Sequence, residues 1–211
     1  MIYPGVDLQK IPFDTDKSSQ KSPFKILFVG GDFERKGGYD LVKVFLEKFF
    51  DRSELHIVTQ TPIEVSHPNI HIYKNIKAYT PEWLHLYHQA DVFVMPTYAE
   101  PFGWVFLEAM AAKLPIVATH ITAIPEMVAH GENGLLIEPG DRIALAQSID
   151  YLIQNREIGR KMGEKGRTLV EQKFNAETHF QRLEKIFREA ISTSNLTSNS
   201  PDLQFSKNGV L

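Results

Sequence analysis

Asp91-Val92-Phe93-Val94-Met95-Pro96-Thr97-Tyr98-Ala99-Glu100-Pro101-Phe102-Gly103-Trp104-Val105-Phe106-Leu107-Glu108-Ala109-Met110-Ala111-Ala112-Lys113 is the stretch on which the fold turns. Asp91 to Met95 is an apolar run with the length and composition of a fully buried strand. Pro96 and then Pro101-Phe102-Gly103 break the chain, and a helix pattern opens at Gly103. Val105, Phe106, Ala109 and Met110 recur at helical spacing and give that helix an apolar stripe. Glu100 therefore falls in a strand-to-helix loop, and Glu108 about two turns into the helix. In an open α/β sheet, ligands bind beyond the carboxyl ends of the strands. Two carboxylates there, with helix-start amides between them, suit a polyhydroxylated ligand that carries phosphate. Taken alone, the same residues also fit a loop glutamate that turns the chain and a solvated helix glutamate.

Towards the N-terminus, Lys25-Ile26-Leu27-Phe28-Val29 has the pattern of a buried strand, followed by the glycine-rich turn Gly30-Gly31-Asp32-Phe33-Glu34-Arg35-Lys36-Gly37-Gly38. A helix after it presents Leu41, Val42, Phe45, Leu46, Phe49 and Phe50. Glycines let backbone N–H groups approach a phosphate, and a helix start favours anions. An ordinary tight βα turn fits the segment equally well. It has neither the Gly-Lys-Ser/Thr of a P-loop nor a Gly-x-Gly-x-x-Gly. Short strands are predicted near Leu55-His56-Ile57-Val58 and Ile70-His71-Ile72-Tyr73. Thr80 as N-cap and Pro81 at the first helical position then start a helix carrying Trp83, Leu84 and Tyr87.

Towards the C-terminus, Leu114-Pro115-Ile116-Val117-Ala118-Thr119 is a turn and a further buried strand, and Gly131 to Asp141 holds a turn, a short strand and the start of a helix capped by Asp141. Leu145, Ile149, Leu152 and Ile153 mark that helix, and another is expected from about Glu157 to Lys173. The last begins near Asn175 with the stripe Phe180, Leu183, Phe187 and Ile191. Strands alternating with helices argue a parallel sheet covered on both faces, an α/β Rossmann-like domain over residues 23–191. Residues 1–22 have linker composition, and residues 192–211, rich in Ser and Asn without periodicity, are expected to be disordered.

Glu-Pro-Phe-Gly, four residues, then Glu-Ala-Met-Ala resembles the signature of retaining nucleotide-sugar glycosyltransferases of the GT-B fold, glycosyltransferase family 4 or group 1. Ile2-Tyr3-Pro4-Gly5-Val6-Asp7 resembles the phrase with which that family passes from its N-terminal to its C-terminal domain, and the likeness runs from about Lys25 to Ile191. It implies the C-terminal, donor-binding half of such an enzyme, with residues 1–22 a linker from a missing N-terminal domain. Residue by residue, it implies that Glu108 accepts hydrogen bonds from the donor ribose. It gives Glu100 the catalytic position, binding a hydroxyl of the donor sugar and stabilising positive charge on the reacting ring. Phe102, Gly103 and Trp104 with Gly30, Gly31 and Lys36 would hold the diphosphate. The family's arginine falls at Gly31, a departure for which Arg35 could compensate. Where the family commonly has a glycine pair, this chain has Thr122-Ala123. Tyr79 or Lys77, in the loop that runs beside the nucleotide base in the family, is either a base contact or a surface side chain.

The resemblance implies a nucleotide-sugar donor and no cofactor, an acceptor sugar or glycan, and an N-terminal GT-B domain on another chain as partner. Composition narrows the rest. A charge of −3 gives no basic footprint for nucleic acid. No apolar run approaches the about 20 residues of a membrane span, and the absence of cysteine suits a reducing, cytoplasmic compartment. Eight histidines include no His-Glu-x-x-His, so no metal site is expected. No Gly-x-Ser-x-Gly elbow supports a hydrolase. Asp91 begins its strand where a receiver-domain phosphoacceptor would end it. The alternative function is a non-catalytic nucleotide- or partner-binding module whose chemistry needs a separate N-terminal domain.

Overall fold

The computed structural model describes residues 4–12 and 23–197. Six parallel strands form one sheet: β1 (Phe24–Val29), β2 (Ser53–Val58), β3 (Ile70–Tyr73), β4 (Val92–Met95), β5 (Ile116–Thr119) and β6 (Gly134–Ile137). Their spatial order is β3-β2-β1-β4-β5-β6, so the winding reverses between β1 and β4. Between them run α1 (Gly38–Lys48), α2 (Pro81–Gln89), α3 (Trp104–Ala111) and α4 (Ile124–Met127). Then come α5 (Arg142–Gln154), α6 (Arg156–Lys173) and α7 (Ala176–Thr197). The expected Rossmann-like parallel sheet is the observed one.

Every residue of β4 and β5 is buried, as continuous apolar runs in a doubly covered parallel sheet should be. Thr80 accepts from the Trp83 amide with Pro81 at the first helical position, and Asp141 caps α5 through the Ala144 amide. In α1, Leu41, Val42, Val44 and Phe45 are buried, but Leu46 and Phe50 are exposed. Leu46 follows Phe45 by about 100° of helical rotation, off the core-facing arc, and Phe50 lies past the helix end. Glu108 is the fifth residue of α3, just over one turn in rather than two.

Residues 4–12, expected as linker, pack onto the domain. Val6 and Ile11 are buried, and Val6 exchanges backbone hydrogen bonds with Phe174 (2.7 Å) and Ala176 (3.1 Å) at the α6–α7 junction. Arg167 ties this segment to α3, donating to the carbonyls of Ile11 (3.2 Å) and Ala111 (2.7 Å). Residues 13–22 lie outside the described residues. At the other end α7 continues through Thr197, past the expected boundary at 191, and residues 198–211 lie outside the described residues. Phe180, Phe187 and Ile191 on α7 are exposed. Among the described residues, no helix is long and apolar enough to cross a membrane.

Candidate functional site

The reversal between β1 and β4 sets the site. Where neighbouring strands send their chains to opposite sides, the loops part and leave a crevice at the carboxyl ends. One wall is the β1–α1 loop, residues 30–37, and the other is the β4–α3 loop, residues 96–103. The two are stitched together. Tyr98 N donates to Arg35 O (2.9 Å), and Thr97 Oγ1 is shared between the carbonyls of Arg35 (3.1 Å) and Ala99 (3.0 Å). Gly37 has φ +74° and lies so close to Pro96 that a Cβ would sit 2.1 Å from the Pro96 carbonyl oxygen. Outside the crevice, buried Asp40 accepts from Arg142 Nε (2.6 Å) and from the Tyr98 hydroxyl. None of these stitches was visible in local sequence, because each joins segments about sixty to a hundred residues apart.

Lys36 and Glu100 meet as a largely buried ion pair across the crevice. Burial, with Arg35 alongside, lowers the Lys36 pKa from the ordinary ammonium value, so the Glu100 carboxylate is the counter-charge that keeps a desolvated ammonium in place. Arg35 reaches the mouth of the site, where its guanidinium is bonded to Asp32 (3.0 Å) and to the Ala99 carbonyl (2.5 Å). Gly31 has neither a positive φ nor any atom within 4 Å of where a Cβ would be. The position thus has room for the larger residue that the family signature carries. The Gly30 N–H is spent on Val58 O (2.9 Å), so of the amides expected to meet phosphate this one serves the sheet instead. Gly103 caps α3 at φ +92°, a conformation that only glycine adopts freely. The amides of Phe102, Gly103 and Trp104 donate to no partner among the described residues.

Glu108 has different company. It is buried on α3 and accepts from Tyr79 (2.9 Å) and Tyr87 (3.4 Å). Burial raises its pKa from the ordinary carboxylate value, and the two phenolic hydrogen bonds oppose that rise only in part. Burial also pushes up both tyrosines, with the Glu108 charge adding to it. Tyr79 therefore belongs to the carboxylate, where the sequence leaves a base contact or a surface residue open, and Tyr87, which the sequence places on the α2 helix with no site role, joins it. A carboxylate has about four lone-pair sites, so two phenols leave room for further donors. Lys10, from the docked N-terminal segment, lies 5.5 Å from the Tyr79 ring centre.

Thr122, in the place of a family glycine, sits at φ 46°. A β-branched residue is strained there, and its hydroxyl bonds to the Glu100 carbonyl.

The description of the family model that matches residues 23–155 is "Glycosyl transferases group 1". This chain is a group 1 glycosyltransferase domain. Its likeness to the capsular polysaccharide biosynthesis glycosyltransferase CapM of Staphylococcus aureus is 29% identity over 209 residues, covering 90% of this chain and 54% of the relative. The crystal structure of the C-terminal domain of a group 1 family protein, LpcC, from Francisella tularensis superposes with a TM-score of 0.69 at 26% identity, over 81% of this chain and 99% of that one. Anabaena HepE, solved in complex with UDP-glucose, superposes at 0.75 with 20% identity, over 89% of this chain and 57% of that one. The group 1 domain described here thus has the fold of the C-terminal half of a GT-B glycosyltransferase and spans about half the length of the curated relatives it matches.

Proposed function

We propose that this domain is the donor-binding half of a retaining glycosyltransferase that takes a nucleoside-diphosphate sugar. The observation that carries the reading is the placement of Lys36 with Glu100, and of Glu108, around the crevice at the β1–β4 reversal. A bound HepE structure with UDP-glucose on the same fold supports a uridine diphosphate donor. In this reading Lys36 turns from Glu100 to the diphosphate, which also meets the amides of Phe102, Gly103 and Trp104 at the start of α3. Glu100, released, takes a hydroxyl of the donor sugar and stabilises positive charge on the reacting ring. Glu108 accepts from the ribose hydroxyls with its remaining lone pairs. As the glycosidic bond breaks, negative charge grows on the departing diphosphate, and cations and amides aimed there lower the barrier. The acceptor, a sugar or glycan, is positioned by an N-terminal GT-B domain, which supplies the orientation part of the rate. The cysteine-free composition suits reaction in the cytoplasm.

Calorimetric titration tests the site. The domain should bind a nucleoside diphosphate more tightly than the monophosphate, and Lys36→Ala and Glu108→Ala should each weaken it about 10- to 100-fold, the worth of one charged hydrogen bond. Unchanged affinity in both would remove the assignment. Gly31, standing where the family signature carries arginine, favours a second reading as a non-catalytic nucleotide-binding module. Efficient sugar transfer once an N-terminal GT-B domain is supplied would exclude it.

A further inference from the structure

At the β3 edge of the sheet, a second group of polar side chains gathers on β2 and β3. The parallel register sets His56 directly beside His71, and Leu55 beside Ile70. Because alternate residues share a face, Glu54 and His56 of β2 and His71 and Tyr73 of β3 all lie on one side of the sheet edge. Glu54, His56 and His71 are half-buried, and one ligand-capable atom from each lies within 4.8 Å of the others. His56 Nε2 stands 3.3 Å from Glu54 Oε2. Two ligands at about 2.0–2.1 Å from a tetrahedral zinc ion are about 3.4 Å apart, so this pair is already at the spacing of one tetrahedral edge. The other imidazole nitrogen, Nδ1, lies 2.9 Å from the Tyr73 hydroxyl, the outer partner that orients a metal-binding histidine.

We propose that Glu54, His56 and His71 form a site for a zinc-class divalent ion, with Tyr73 as its outer partner and water in the fourth position. Without metal, the tyrosine hydroxyl donates to Nδ1, and the Nε2 proton bridges to Glu54. The ion takes the place of that proton, which passes by way of water to Nδ1; Nδ1–H then donates to the Tyr73 oxygen, and the Tyr73 hydroxyl turns its own proton to solvent. Two imidazoles and one carboxylate select zinc, nickel or copper over magnesium or calcium, which prefer all-oxygen shells. Lys25, in register with Glu54, is drawn towards Gln89 on α2 (3.5 Å) and does not fill the site. The ion would staple the edge strand β3 to β2, where the ladder has a free side.

Equilibrium dialysis of the full chain against zinc chloride, with metal quantified by atomic emission, tests this. One equivalent should bind. His71→Ala and Glu54→Gln, each at a half-buried position, should weaken binding at least about tenfold, while His130→Ala leaves it unchanged. Tyr73→Phe keeps all three ligand atoms, so it should keep the stoichiometry and weaken affinity about 10- to 100-fold. Cobalt loading should give the intense visible bands of a four-coordinate site, absent in His71→Ala. Circular dichroism of each variant separates lost binding from lost fold. Failure of the wild-type chain to take up zinc at micromolar concentration, or uptake equal in wild type, His71→Ala and Glu54→Gln, overturns the proposal.

Discussion

Glu100 and Glu108 stand on the two sides of one loop-to-helix junction, eight residues apart, and the fold treats them in opposite ways. Glu100 is given a full counter-charge in Lys36. Glu108 is buried against two neutral phenols, with no ion pair among the described residues. The first arrangement fixes two loops by an ion pair that a phosphate can compete for. The second holds a carboxylate whose charge is only partly compensated, so it retains appetite for donors such as sugar hydroxyls. In the proposed donor site, the partner each carboxylate is given would separate the task of exchanging charge from the task of recognising hydroxyls.

The largest effect should come from breaking the ion pair on one side only. Lys36→Ala leaves Glu100 desolvated and unpaired, and removal of one partner from a buried pair costs about 3 kcal/mol. The double variant Lys36→Ala, Glu100→Ala should recover much of that loss. Urea denaturation of the two singles and the double closes the cycle, and additive losses would mean that the pair is not coupled.

Glu108→Gln sharpens the contrast by moving stability and affinity in opposite directions. Because the folded-state pKa of Glu108 is raised, the native state holds its proton to higher pH than the unfolded chain does. Its carboxyl therefore favours folding at low pH, and that contribution is lost as pH rises through the folded-state pKa. Glu108→Gln should make the domain more stable at pH 7, with the advantage shrinking as pH falls towards the ordinary carboxylate value. Nucleotide affinity should fall nevertheless. Thermal melts from pH 4 to 8 check the sign, and a Gln variant less stable at pH 7 would contradict the account of Glu108 as an undercompensated charge.

Gly31→Arg should do least to the fold. The position is open and has no positive φ, so the change should stay within about 0.5 kcal/mol in stability. It should tighten diphosphate binding by adding a cation at the crevice mouth. Weaker binding would show that Arg35 already fills the role and that the two guanidinium groups repel.

The sequence by itself made the six strands and every helix but α4 legible. β4 and β5 were legible as unbroken apolar runs because a strand covered on both faces needs no alternation, and the starts of α2 and α5 were legible because Thr80-Pro81 and Asp141 satisfy helix-end amides within a few residues. It also offered Glu100 and Glu108 through the spacing of the motif after β4, and Lys36 through the family resemblance of the glycine-rich turn after β1. What it could not give were relations between distant segments. The docking of residues 4–12, the Arg35–Ala99 and Tyr98–Asp40 stitches, the two tyrosines on Glu108 and the His56–His71 pair each depend on which strands become neighbours and in what register. Local propensity is carried by interactions over three or four residues, whereas a strand order of β3-β2-β1-β4-β5-β6 is set by how the whole apolar surface is buried at once. Only that global arrangement decided that one carboxylate faces a lysine and the other two phenols.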